Sequence, residues 1–170
     1  MYVAEYLASL RSAEQQLAEA LTAVGDRHAS YHADVYVESK LLASWSLEHV
    51  RKLTPWVEKY GERMSPEPKR LGTTVFTGVR VGGMGYLRDL SDLRLLVGEV
   101  FGAYEILLQA ARALRDVEFQ ALLELMSWQA KRQEEWVRTK IHEAAAVVLT
   151  VPEPTEALER QTVERVAPPL

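Results

Sequence analysis

The chain has 170 residues, enough for one domain with a sizeable core, and its hydrophobic and charged fractions, 48% and 26%, are ordinary for a globular protein. A net charge of −4 and a pI near 5.6 argue against nucleic-acid binding, because Lys and Arg are scattered among acids and form no cluster. The lack of cysteine removes disulfides, thiolate catalysis and Cys-ligated zinc, and fits a reducing compartment.

Met1-Tyr2-Val3-Ala4-Glu5 turns polar too early for a secretory h-region, and no apolar run reaches the length that spans a bilayer. The expectation is a soluble cytoplasmic protein with neither a membrane nor a nucleic-acid partner.

The first segment places Val3, Leu7, Leu10, Glu14, Leu17, Leu21, Val24 and His28 in a four-three alternation, the seam of a helix packed at a shallow angle in a bundle. Gly25 weakens its end, and His28–His32 carries the turn. Two seam positions are polar. His28 is close enough to the end to reach water, whereas Glu14 is not.

A second helix is predicted from about Asp34 to Tyr60, with a face of Leu42, Trp45, His49, Leu53, Trp56 and Tyr60 that Leu41, Leu47 and Val50 widen. Pro55 should bend it or break one hydrogen bond, and Gly61 should end it.

From Glu62 to about Tyr86 the pattern changes. Pro66 and Pro68 oppose helix, residues 73–77 favour extended backbone, and Gly78, Gly82, Gly83 and Gly85 follow. A long irregular segment in a compact domain ordinarily counts against an assignment. It is required if the second and third helices run parallel, because the chain must then travel the length of the bundle. At roughly 3.3 Å per extended residue the segment suffices. Its glycines match neither a Walker nor a dinucleotide-binding pattern, so the reading is a crossover on the bundle surface.

A third helix is expected over Leu87–Arg115, with a broad face comprising Leu93, Leu96, Val97, Val100, Phe101, Tyr104, Leu107, Leu108, Ala111 and Leu114. Leu95 and Ile106 fall on its far side, which suggests a second packing partner. A fourth, from about Val117 to Thr150, has its seam at Phe119, Leu123, Met126, Ala130, Gln133, Val137, Ile141, Ala144 and Val148, and Pro152 and Pro154 stop it. Residues 1–150 thus form one bundle, and residues 151–170 form a C-terminal tail.

Two helical hairpins joined by a bundle-length crossover describe an all-α, ferritin-like four-helix bundle. The resemblance is carried by Glu14 and by Ser46-Leu47-Glu48-His49-Val50-Arg51-Lys52-Leu53, which is similar to the second-helix motif of ferritins, bacterioferritins and rubrerythrins. Members with a di-iron centre supply one Glu from each of two helices and Glu-x-x-His from each of the others. If the first hairpin turns near residues 31 and 32, Glu14 and His49 lie at one level and face each other.

The rest of the ligand set is missing. Ser46 stands where the resemblance implies a bridging Glu, and Glu48 points about 100° away from His49. Ala130 and Gln133 occupy the spaced pair of the fourth helix. Glu99, Glu105 and His142 lie off the core stripes, and Tyr104 reads as packing.

The metal candidates are therefore Glu14 and His49 alone, as a remnant site. The alternative to a metal is a core polar network of Glu14, Ser46, His49 and Gln133. The functional expectation is a non-catalytic ferritin-like protein, a structural or interaction subunit without a cofactor, acting as a homodimer or within a larger assembly. The competing reading is an iron- or manganese-binding oxidase or iron-handling protein that recruits Glu38, Glu48 or Glu99.

Overall fold

The computed structural model describes residues 2–61 and 76–151. Four helices carry the fold: α1 (Val3–His28), α2 (Ala33–Gly61), α3 (Gly82–Leu114) and α4 (Val117–Val148). No strand occurs among the described residues, and no helix among them is long and apolar enough to cross a membrane.

The seam of α1 is buried from Leu7 to Val24, with Glu14 inside it. Burying such a stripe removes about 25 cal/mol of apolar surface energy per Å² from water, which drives the packing of all four helices. Helix α1 packs against α2 and α3, and α4 packs against α3 and more lightly against α2. The diagonal pairs α1–α4 and α2–α3 make no close approach among the described residues.

Side-chain pairings fix the directions. Glu14 meets His49 across the first hairpin, and Lys40 reaches back to Asp26, so α1 and α2 are antiparallel. Helix α1 is also antiparallel to α3, because His28 bonds Asp89 while Glu14 bonds Tyr104. Helices α2 and α3 consequently run the same way. Gly61 and Gly82 lie at opposite ends of the bundle, since Tyr60 meets Asp116 and Phe119 whereas Tyr86 meets His28 and His32. The expected crossover falls largely on residues 62–75, outside the described residues, as does the tail beyond Val151.

Two glycines serve close approach. A Cβ on Gly25 would sit 2.0 Å from Ser39 Oγ, so this position lets α2 lie against α1. A Cβ on Gly85 would meet the Arg80 Cβ at 2.9 Å and its carbonyl carbon at 3.0 Å, where the chain doubles back at the start of α3.

Several expectations need correction. Helix α3 begins at Gly82, not Leu87, because Arg80 anchors that start: its N–H and guanidinium donate to Asp89, and the guanidinium also reaches Asp92. His28 does not reach water. It is 6% exposed and bonds the fully buried Asp89 through Nε2 at 3.0 Å.

On α2, Leu41 and Leu47 are exposed, while Val35, Ser39 and Ser46 are buried in their place. Small residues there let α2 sit close to its neighbours. Leu114 is exposed at the end of α3, and near the end of α4 Lys140 is buried where Ile141 and Val148 are half-buried.

Candidate functional site

The centre of the bundle holds a polar cluster built from all four helices. Each member lies on or beside a stripe whose neighbours are apolar, so helical periodicity carries the polar groups inward with the core. Glu14 of α1 is fully buried, and its Oε1 accepts two hydrogen bonds. One comes from His49 Nδ1 at 2.7 Å and the other from the Tyr104 hydroxyl at 2.6 Å.

The second ring nitrogen of His49, Nε2, lies 2.8 Å from Gln129 Oε1 of α4. As placed, both ring nitrogens of His49 face oxygens, the Glu14 carboxylate on one side and the Gln129 amide on the other. A flip of the Gln129 amide would let the neutral Nδ1–H ring make the same contacts. Burial raises the Tyr104 hydroxyl well above its ordinary pKa, and the adjacent Glu14 charge adds to the shift. The phenol therefore stays a donor. The ring of Tyr104 stands edge-on to His49 with centroids 5.9 Å apart.

Gln133 and Ser46 form a second, separate pair one turn away. The Gln133 amide donates to Ser46 Oγ at 2.9 Å and to the Leu42 carbonyl at 3.0 Å. Glu14 Oε2 and Gln133 Oε1 are buried and have no hydrogen-bond partner among the described residues.

Glu14 and His49 are thus brought into direct contact, but Ser46 and Gln133 bond each other instead of joining them. Two members were missed by sequence reasoning. Tyr104, taken as packing, is the second donor to Glu14, and Gln129 holds the far side of His49. The only signal for Tyr104 was a hydroxyl on a core stripe, and nothing in the sequence set its level against Glu14. Gln129 had none, because it flanks the α4 seam.

The groups that the competing metal reading would recruit are elsewhere. Glu38 accepts from Trp136 Nε1 and approaches Lys140, Glu48 pairs with Lys52, and Glu99 and His142 are exposed. Among the described residues no three His, Asp or Glu side chains converge as a metal-binding group.

Chemically the cluster is a hydrogen-bond network in which both nitrogens of His49 and one oxygen of Glu14 are engaged. No protein family, curated protein or solved structure matches the chain.

Proposed function

We propose that this chain is a non-catalytic ferritin-like protein that acts as a structural or interaction subunit, self-associating through the outer face of α3. The reading rests first on a single observation. Both nitrogens of His49 and Oε1 of Glu14, the two residues that would hold iron in the family the sequence resembles, are engaged by Tyr104, Gln129 and each other, which leaves only Glu14 Oε2 open. The parallel course of α2 and α3 suits the same family. The network rewards the native arrangement of all four helices, since each of its side-chain contacts joins two different helices.

The interaction half rests on α3. Leu95 and Ile106 are exposed at 62% and 50%, and they lie three turns apart on one face of that helix. Gly98 and Gly102 stand between them, with open space where a Cβ would be, so a second helix can approach closely.

Light scattering and metal analysis on one sample test both halves. Protein made in iron- and manganese-supplemented medium should be a dimer at micromolar concentration with well under one metal per chain. The double change Leu95→Glu, Ile106→Glu should give a folded monomer. Stoichiometric iron or manganese that is lost in His49→Ala would overturn the first half, and a monomeric wild type would overturn the second.

A further inference from the structure

A cavity of about 740 Å³ opens at the turn end of the bundle, where the α1–α2 turn, the start of α3 and the end of α4 meet. That volume suits a small organic molecule. Val35, Ala144, Val147 and Val148 give it an apolar wall, and Asp34, Glu143 and Tyr86 bring side-chain oxygens to its lining.

The charges around it are unequally matched. Lys140, in the wall, lies against Asp34, Glu38 and Glu143. One ammonium has three N–H groups and three carboxylates have six oxygens, so acceptors are left over. Glu143 is the loosest of the three: its one cation among the described residues is Lys140, at 3.3 Å, and most of its side chain is in water.

The imbalance continues behind the lining. His28 bonds Asp89, and Asp89 and Asp92 share the Arg80 guanidinium. Arg27, the other cation of the lining, donates through Nε to the Arg80 carbonyl at 3.4 Å. Arg27, Arg80 and Lys140 are therefore outnumbered by Asp34, Glu38, Glu143, Asp89 and Asp92, even with a proton on His28. An anion entering the cavity meets acid already in excess, whereas a cation is attracted.

A second, independent feature lies in the same space. Tyr86 is only 4% exposed, lines the cavity, and its hydroxyl has no hydrogen-bond partner among the described residues. Burial pushes the phenol up to about 12; Lys140 opposes the rise, and Asp34, Glu143 and Glu38 add to it. The hydroxyl thus stays protonated within reach of the acid cluster's field, and its oxygen keeps lone pairs for an incoming N–H. The ring is held in place by His32, stacked on it at 4.2 Å, and by His28, tilted against it at 4.8 Å. His32 is kept below its ordinary pKa, chiefly by burial, and so adds no positive charge.

We propose that this cavity binds a small organic amine in its ammonium form, with an apolar body. The ammonium lies between the Tyr86 hydroxyl and the Glu143 carboxylate, and the body lies against the Val35, Ala144, Val147 and Val148 wall. The site is separate from the polar centre of the bundle and does not depend on the assignment of that centre.

Calorimetric titration of the full chain with benzylamine and hexylamine at neutral pH tests it, with benzyl alcohol, hexanol, benzoate and hexanoate as neutral and anionic counterparts. The amines should bind saturably at low millimolar concentration or below, and the alcohols and carboxylates should not. Tyr86→Phe should weaken amine binding by about tenfold, the worth of one hydrogen bond to a charged group. Glu143→Gln, at an exposed position that leaves Lys140 two other carboxylates, should weaken it by about threefold, the worth of a partly solvated ion pair. Lys140→Gln removes the competing ammonium and should tighten it by about threefold or more.

Ala144→Trp, which fills the cavity from its apolar side, should abolish binding while the far-ultraviolet dichroism stays helical. Should that variant misfold, Tyr86→Phe, Glu143→Gln and Lys140→Gln carry the decision. No saturation of the wild type by either amine would overturn the proposal, as would alcohols or carboxylates that bind as tightly as the amines. Amine affinity that is unchanged in Tyr86→Phe or in Glu143→Gln, or that falls in Lys140→Gln, would also overturn it.

Discussion

At the residue scale, one oxygen of Glu14 supports two buried donors from two helices. Glu14→Ala leaves both the Tyr104 hydroxyl and the His49 N–H without an acceptor, and should cost on the order of 3 kcal/mol in denaturant unfolding. Glu14→Gln keeps an acceptor and the side-chain shape and should cost less. Tyr104→Phe removes one donor without stranding another, and should cost about 1 kcal/mol. Equal costs for Glu14→Ala and Tyr104→Phe would show that the carboxylate bears no special load. The pairing of Glu14 with His49 was legible because a hairpin with a short turn fixes the level of residues counted outward from it. The contacts with Tyr104 and Gln129 were not legible. They cross from the first hairpin to the second, and the relative height of the two hairpins depends on a connection whose length sets no register.

At the element scale, the ends of the helices divide in the same way. The turn between α3 and α4 is closed by Arg115 in the left-handed region, at φ 54. The Asp116 N–H bonds Ala111 O, and the Arg115 N–H bonds Arg112 O. Glycine is the usual residue at such a position, and an arginine there gives no sequence signal. Arg115→Gly should therefore raise stability by about 1 kcal/mol, the typical cost of left-handed backbone at a non-glycine residue. A lower thermal midpoint in that variant would refute the strain argument. The start of α3 was missed for a related reason. Gly82, Gly83 and Gly85 read as loop, whereas Gly85 is needed inside the helix because Arg80 backbone lies against it. Gly85→Ala gains helix propensity yet must displace that backbone, so a net loss of roughly 1–3 kcal/mol is expected from chemical denaturation.

At the scale of the whole molecule, the α2–α4 seam differs from the other three. The two helices approach least closely of the packed pairs, and polar contacts span the gap from end to end. Lys140 holds Asp34 at one end, Lys59 and Tyr60 hold Asp116 at the other, and Trp136–Glu38, Gln133–Ser46 and His49–Gln129 lie between. The apolar periodicity of each helix was readable, but partners such as Lys140 and Asp34 are ordinary surface residues until the helices are docked. The ends should be the acid-sensitive part of the fold. The Lys140 contact holds the Asp34 carboxyl below its ordinary pKa, and the Lys59 contact does the same for Asp116. A carboxylate depressed in the folded state stabilises above its unfolded pKa, and that gain is lost as pH falls through the folded value. The raised Lys140 acts in the opposite direction: its contribution is complete below its unfolded pKa and fades only at strongly alkaline pH. The clasps should thus hold from about pH 4 upward. Much of Asp34 and Lys59 is in water, so each clasp is worth about 1 kcal/mol or less. Thermal midpoints followed from pH 6 to pH 3 should fall in the wild type. In the double variant Lys59→Gln, Lys140→Gln they should start lower and fall less steeply, because the two aspartates, left with their other hydrogen bonds, gain less from ionising. A parallel fall in the two proteins would place the acid-sensitive contacts somewhere other than this seam.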